Sequence, residues 1–209
     1  MRECNVEERR VLSRRSMMRV IGGAAKGRRL VAPKGQTVRP TADRVKESLF
    51  NILSRNFSGM KVLDLFAGTG NLSIEALSRG ADHAVLVDSS ERSAAAIREN
   101  LRRLGFNERT EVWVMPVARS LRSLARRNET FDYIFLDPPY DQELAGRTLE
   151  IIAQCNLLRD SGTLVVEHSA RETVKPLYGS LQLHDQRRYG DTLLSFYRTQ
   201  ANINSAPRG

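Results

Sequence analysis

The 209-residue chain is 41% hydrophobic and 27% charged, with 33 Lys and Arg against 24 Asp and Glu for a formal net charge of +9. That apolar fraction suits one globular core with an appendage, and no stretch approaches the roughly 18 consecutive apolar residues of a membrane span. Cys4 and Cys155 have no metal or redox spacing and His83, His168 and His184 are scattered, so a reduced, metal-free, cytoplasmic protein is expected.

Residues 1–17 are basic, lack an apolar signal region and read as a disordered extension. Residues 1–60 hold 14 Lys and Arg against 5 Asp and Glu, whereas residues 61–209 hold 19 of each, so the whole excess lies ahead of the first long apolar strand. A solubilising tail accounts for the charges up to Arg15. Beyond it, a basic module (18–57) beside a neutral remainder (58–200) points to a polyanionic substrate, nucleic acid foremost. Within the module, residues 19–21 and 29–31 are predicted to pair as a hairpin around Gly22, Gly23 and Gly27, displaying Lys26 and Arg28. Arg39 and Pro40 open a helix with Thr41 as its N-cap. Val45, Leu49, Ile52 and Leu53 form its apolar stripe, and Arg44 and Lys46 project away from it. These two charges read equally as phosphate contacts and as solvated helix charges.

Residues 61–66 form a short apolar strand interrupted by Asp64, followed by Ala67-Gly68-Thr69-Gly70 and a helix stopped by Gly80. Strand, glycine turn and helix form a unit in which backbone approaches a ligand closely. A second strand over 84–87 ends in Asp88, eighteen residues beyond Gly70, where an acid commonly holds a ribose diol. Ser73 stands where a dinucleotide fingerprint has its third glycine. Asp64 is unhelpful beside a pyrophosphate but favourable beside a sulfonium or an α-amino group. The loop therefore favours S-adenosylmethionine over a nicotinamide dinucleotide. The alternative for Asp64 is a mere cap of the turn.

Downstream, a helix over 91–104 is capped by Ser89 or Ser90, a third strand covers 110–115 and a helix 117–127. Residues 131–136 make a fourth strand, which meets Asp137-Pro138-Pro139-Tyr140. Two prolines cannot extend a strand, since each lacks an N–H and fixes φ near −65°. Asp137 and the Pro138 carbonyl can accept N–H bonds from a planar amine on which Tyr140 stacks. A proline-rich loop capping a strand accounts for these four residues equally well when they are taken alone. A helix over 144–153, a strand over 162–167 and an antiparallel pair over 181–187 and 193–198 complete the chain before a disordered tail at 201–209.

Together, residues 39–53, Asp64 through Gly70 and Asp137 through Tyr140 closely resemble the bacterial small-subunit ribosomal RNA guanine-N2 methyltransferases of the D type. The resemblance runs from about residue 18 to residue 197. It implies a Rossmann-like class I S-adenosylmethionine-dependent methyltransferase with a seven-stranded, mostly parallel sheet and a small basic hairpin-helix module ahead of it. It further implies methylation of the exocyclic N2 of a guanine in 16S RNA, guanine 966 in the family, within an assembling small subunit and by a monomer. The implied roles are catalysis by Asp137, Pro138 and Tyr140, cofactor binding by Asp64, Phe66, Gly68, Gly70 and Asp88, and RNA contact by Arg39, Arg44, Lys46, Lys26 and Arg28. One departure is Met115-Pro116-Val117-Ala118, where related folds carry a side chain for the adenine amino group. Rival readings are adenine-N6 or cytosine-N4 methylation, protein glutamine methylation, and a non-catalytic RNA-binding or assembly protein.

Overall fold

The computed structural model describes residues 18–32, 40–139 and 143–200, with side chains in the second stretch from residue 44 onward. Helix α1 (Pro40–Ile52) precedes β1 (Lys61–Leu65), α2 (Asn71–Ser78), β2 (His83–Asp88), α3 (Glu91–Leu104), β3 (Thr110–Val114) and α4 (Val117–Arg126). Then follow β4 (Phe131–Leu136), α5 (Leu144–Cys155), β5 (Leu158–Ser169), β6 (Leu177–Tyr178), β7 (Leu181–Tyr189) and β8 (Thr192–Thr199). Among the described residues no helix is long and apolar enough to cross a membrane.

The strands form one sheet in the order β3-β2-β1-β4-β5-β8-β7-β6. Strands β1 to β5 pair in parallel, and β5–β8, β8–β7 and β7–β6 pair antiparallel. This is an eight-stranded mixed sheet, not the seven-stranded, mostly parallel one expected. The added strand is β6, two residues at the sheet edge just after Pro176, too short to show any alternation. The fifth strand also starts earlier than expected. Arg159 and Asp160 look like turn residues, but the Arg159 guanidinium donates to Asp132 Oδ1 and Oδ2 at 2.9 Å, and the β4–β5 register shifts between Phe131 and Tyr133 to accommodate them.

Strand alternation sorts the sheet side chains into two layers. Val62, Leu86, Phe135, Val165 and Phe196 pack beneath α1, α2 and α3. Leu63, Leu65, Ile134, Leu136, Leu164 and Val166 pack against α4 and α5. The apolar residues of the basic segment, Val20, Ala25 and Leu30, belong to the first layer together with Val45, Leu49 and Phe50 of α1. Ile52, assigned to that stripe from its spacing, is 44% exposed, and Phe50 is fully buried in its stead.

The segment over residues 18–32 forms a hairpin shorter than the expected one. An antiparallel bridge joins Arg19 to Arg29. Leu30 N donates to the Met18 carbonyl, Val20 N to that of Arg28 and Gly27 N to that of Val20, at 2.9, 3.0 and 2.8 Å. The two arms pair as expected, but only as far as Val20, because the following amides are used elsewhere. Ile21 N and Gly22 N donate to the two oxygens of Glu75 on α2, at 2.8 and 2.7 Å. Ala24 N donates to the Ser78 carbonyl and Ala25 N to Ser78 Oγ, at 2.7 and 2.8 Å. The chain lies so close to α2 that a Cβ on Gly23, whose φ is +74°, would fall 1.8 Å from the Ser78 oxygen. Glu75 is fully buried and also accepts from Arg79 Nε and Nη2, at 3.0 and 2.9 Å.

Lys46 completes this cluster and corrects the expectation that it faces solvent. It is 2% exposed, and its ammonium donates to the Arg19 carbonyl and to Asn71 Oδ1, each at 2.6 Å, with Glu75 3.7 Å away. The burial follows from its position three residues ahead of Leu49 and four ahead of Phe50, on the packed side of α1.

Removing one partner of a buried ionic cluster leaves the others uncompensated, at a cost of about 3–5 kcal/mol. Glu75→Ala is therefore expected to lower unfolding free energy in urea by about that amount, and to abolish hydrogen-exchange protection of the Ile21 and Gly22 amides. Unchanged stability and retained protection would show that the clamp on residues 18–32 lies elsewhere.

Candidate active site

A cleft of roughly 580 Å³ opens at the C-terminal ends of β1, β2, β4 and β5. This is the edge at which open α/β sheets receive ligands, since the strands end there and helix N-termini point into the gap. Asp64, Phe66, Gly68, Asp88, Asp137 and Pro138 all line it, as do Lys46, Asn71, Ser90 and Glu167. The fold thus brings the glycine loop and the Asp-Pro-Pro segment to one hollow.

The loop after β1 leaves the sheet through Phe66, a non-glycine residue at φ 61°. Such a left-handed conformation costs on the order of 1 kcal/mol, and nothing in the residue type announces it. Gly68 follows at φ +57°, and a Cβ there would meet nothing nearer than the Phe66 oxygen at 3.9 Å. Packing therefore does not require a glycine at this position; backbone conformation and open space toward the cleft do. Gly70, at φ 75°, caps α2 without any side-chain hydrogen bond, so that helix N-terminus depends on its own amides and on Asp64.

Asp64 is 2% exposed and its Oδ2 accepts from Ser73 N at 3.1 Å. Burial pushes its carboxyl up from the ordinary 3.8 to about 7, with the Asp88 charge adding in the same direction and the Ser73 amide opposing both. A buried acid so perturbed gains most from a cation placed against it.

Asp88 is half-buried at the end of β2. Its Oδ2 accepts from Gly68 N and its Oδ1 from Ser90 N, both at 2.8 Å, so one carboxylate ties the glycine loop to the start of α3. A carboxylate has about four acceptor sites, which leaves capacity for a diol. Asn100 of α3, 1% exposed, holds the loop from the other side. Its Nδ2 donates to the carbonyls of Thr69 and Val31, and its Oδ1 accepts from Val31 N at 2.7 Å.

Asp137 N donates to the Leu65 carbonyl at 3.4 Å, a last weak rung before the prolines. The Asp137 side is exposed, Pro138 is buried and Pro139 exposed. Tyr140 and Arg39 lie outside the described residues.

The remaining RNA candidates separate. Arg44 is exposed on α1, whereas Lys46 is enclosed at the inner wall of the cleft. Lys26 and Arg28 are exposed but not at the cleft. Arg28 Nη2 donates to the carbonyl of Arg103, near the far end of α3. The 14 residues of that helix separate it from the cleft-facing end at Ser90 by about 21 Å, at 1.5 Å per residue. Sequence reasoning overlooked Asn71, Ser90 and Glu167 as lining residues. Glu167 was visible only as an acid at a strand end, and Asn71 as the first residue of a helix.

Comparison with known proteins agrees with this architecture. The family described as conserved hypothetical protein 95 matches residues 18–198. YlbH of Bacillus subtilis, provisionally named an rRNA methyltransferase, is 39% identical over 87% of this chain and 98% of its own length. Ribosomal RNA small subunit methyltransferase D of Escherichia coli is 30% identical over 90% of this chain and 93% of its own. The solved structure of Escherichia coli yhhF, provisionally described as a methyltransferase, is 26% identical, covers 89% of this chain and 99% of its own, and superposes with a TM-score of 0.76. By sequence and by fold, the chain belongs to the conserved hypothetical protein 95 family, that of the small subunit rRNA methyltransferase D proteins.

Proposed function

We propose that the cleft binds S-adenosylmethionine and that the protein transfers its methyl group to the exocyclic N2 of a guanine in small-subunit ribosomal RNA, guanine 966 being the family target. The observation that carries this reading is the meeting of the Asp137–Pro139 segment with Asp64 and the Phe66–Thr69 loop in one hollow, which Gly70 itself does not line. The names of the relatives support methyl transfer to rRNA, and the residues present fit the cofactor. Asp64 offers a buried anion to its α-amino group or sulfonium. Asp88 offers acceptors to a ribose, and Gly68 offers backbone without a side chain in the way. Pro116 leaves backbone and apolar contact to hold an adenine.

When bound, the cofactor would supply an electrophilic methyl carbon on a sulfonium, whose methyl C–S bond breaks to leave a neutral thioether. The work left to the protein is positioning. Guanine N2 is a weak nucleophile because its lone pair is delocalised into the ring. Asp137 and the Pro138 carbonyl accept its two N–H bonds, which favours a tetrahedral nitrogen and directs its lone pair at the methyl carbon. Positive charge then develops on the nitrogen beside the Asp137 carboxylate, which stabilises it and receives the proton afterwards. Tyr140 stacks on a base swung out of its RNA surroundings. Arg39 and Arg44, ahead of and on α1, meet the phosphates around it.

Asp137→Ala is expected to lower kcat for methyl transfer by at least about 100-fold, while calorimetry finds S-adenosylmethionine affinity unchanged. Equal loss of both would move the amine pocket away from Asp137.

The raised pKa of Asp64 gives cofactor binding a pH dependence. Below about 7 the empty site holds a proton that a bound cation must expel, so affinity should rise with pH until that point and then level off. Binding near neutrality should release protons, read as a dependence of the calorimetric enthalpy on buffer ionisation heat. In the ligand-free protein the sign is opposite. Between 3.8 and about 7 the folded chain keeps a proton that the unfolded chain has lost, so this contribution to stability is full at the acid end and gone above about 7. Asp64→Asn should flatten both profiles; profiles that persist unchanged would assign them to another group.

A further inference from the structure

Glu167 stands at the C-terminal end of β5 and lines the cleft beside Asp137. β4 and β5 run parallel with Leu136 registered to Val166. Asp137, the first residue past β4, and Glu167 each follow that pair by one position, where the two strand backbones lie about 4.8 Å apart. Leu136 and Val166 belong to the layer under α4 and α5, and Phe135 and Val165 to the layer under α1 to α3. Alternation therefore directs Glu167 to the α1 side of the sheet, the side that Asp64 takes between Leu63 and Leu65, and Asp137 lines the same cleft together with Val45 and Leu49 of α1. The position is rigid, because β5 continues to Ser169 and Glu167 is registered to Leu194 of β8. Glu167 is half-buried, neither sealed in the core nor free to swing in solvent.

We propose that Glu167 selects guanine as the target base by accepting its N1–H, while Asp137 and the Pro138 carbonyl hold the exocyclic amine. The proposal rests on the reaction assigned above and names the residue that decides which base enters. Three bases carry an exocyclic amine, and they differ in the ring nitrogens beside it. In adenine the Watson–Crick-edge neighbour is N1 and in cytosine N3, each presenting a lone pair. In guanine it is N1, which presents a proton. An ionised carboxylate is an acceptor only, so at this position it pairs with guanine and opposes the lone pair of adenine or cytosine. An Asp-Pro-Pro-Tyr clamp alone accepts an amine from any of the three. The second acid on the neighbouring strand breaks that tie, and the rejection is electrostatic as well as steric.

The test uses the full-length protein and small-subunit RNA carrying guanine, adenine or N1-methylguanine at the position the wild type modifies. N1-methylation removes the proton that Glu167 is proposed to accept. In the wild type it should lower kcat/KM by about 10- to 100-fold, the range for one good base-edge contact. In Glu167→Ala, where no carboxylate is left unpaired, the same replacement should cost threefold or less on the order-of-magnitude scale of a neutral change. Glu167→Gln, which keeps the shape, should lose activity on guanine and narrow the gap to adenine, with S-adenosylmethionine affinity unchanged in both variants as a measure of an intact fold. Equal N1-methyl penalties in wild type and Glu167→Ala, with N2-methylguanosine still formed, would overturn the role of Glu167 and leave the reaction standing. A wild type that places its methyl group anywhere but N2 overturns the reaction, and this role falls with it.

Discussion

The buried carboxylate of Glu75 is the contact on which the arrangement of the site depends. It sits on α2, the helix that the glycine loop introduces, and accepts from two backbone amides of the N-terminal segment and from the Arg79 guanidinium. Lys46 comes within 3.7 Å of it while holding the Arg19 carbonyl and Asn71. Three separate stretches, residues 18–32, α1 and α2, are thereby fixed to one charge in a place where an unpaired charge is costly. Asn100 ties the same N-terminal segment to the glycine loop at Thr69 through the Val31 backbone. The basic segment is part of the wall of the cleft, and Met18 and Lys46 line it directly.

Acids outnumber bases in the cleft, where Lys46 is the one cation among the described lining residues. Asp64, Asp88, Asp137 and Glu167 line the hollow, while Arg19, Lys26, Arg28, Arg29 and Arg44 are exposed outside it. In the proposed reaction a phosphate backbone would be drawn to the exposed Arg and Lys side chains and repelled from the acids, whereas a neutral base with N–H donors would be accepted among them. Under the proposed reaction this division does two things. It admits the base without its phosphate, consistent with a nucleotide turned out of its stack, and it keeps anionic carboxylates near the cationic sulfonium and the nitrogen that becomes cationic. Arg28, whose guanidinium donates to the Arg103 carbonyl near the far end of α3, carries the basic surface away from the cleft.

Most of the central fold was legible because its signals are local. The apolar strands, the Ser90 cap, the Gly80 stop after α2 and the acid closing β2 each depend on a few neighbouring residues. What failed depends on distant ones. Lys46 reads as a surface charge until Glu75 and the Arg19 carbonyl are brought to it. Ile52 fits a helical stripe that in fact turns at Phe50, because the aromatic cluster of Phe57 and Phe135 waits beneath that residue, with ring centroids 5.6 and 5.9 Å away. The hairpin inferred from the glycine turns is present between Met18–Val20 and Gly27–Leu30, but it stops short because the Ile21 and Gly22 amides pair with a carboxylate more than fifty residues downstream. β6 and the early start of β5 arise from cross-strand contacts that no alternation displays. In the site, the acids just ahead of the glycine and proline motifs were visible, whereas Glu167 became a candidate only once the β4–β5 register set it next to the position of Asp137.

The central claim, methyl transfer to guanine N2 of small-subunit RNA, is tested most directly by identifying the product. Small ribosomal subunits from cells lacking the protein, incubated with the purified chain and isotopically labelled S-adenosylmethionine, would be digested to nucleosides and resolved by mass spectrometry. The account predicts label in N2-methylguanosine at a single position of the small-subunit RNA. Label in N6-methyladenosine, N4-methylcytidine or the protein fraction, with none in N2-methylguanosine, would contradict it.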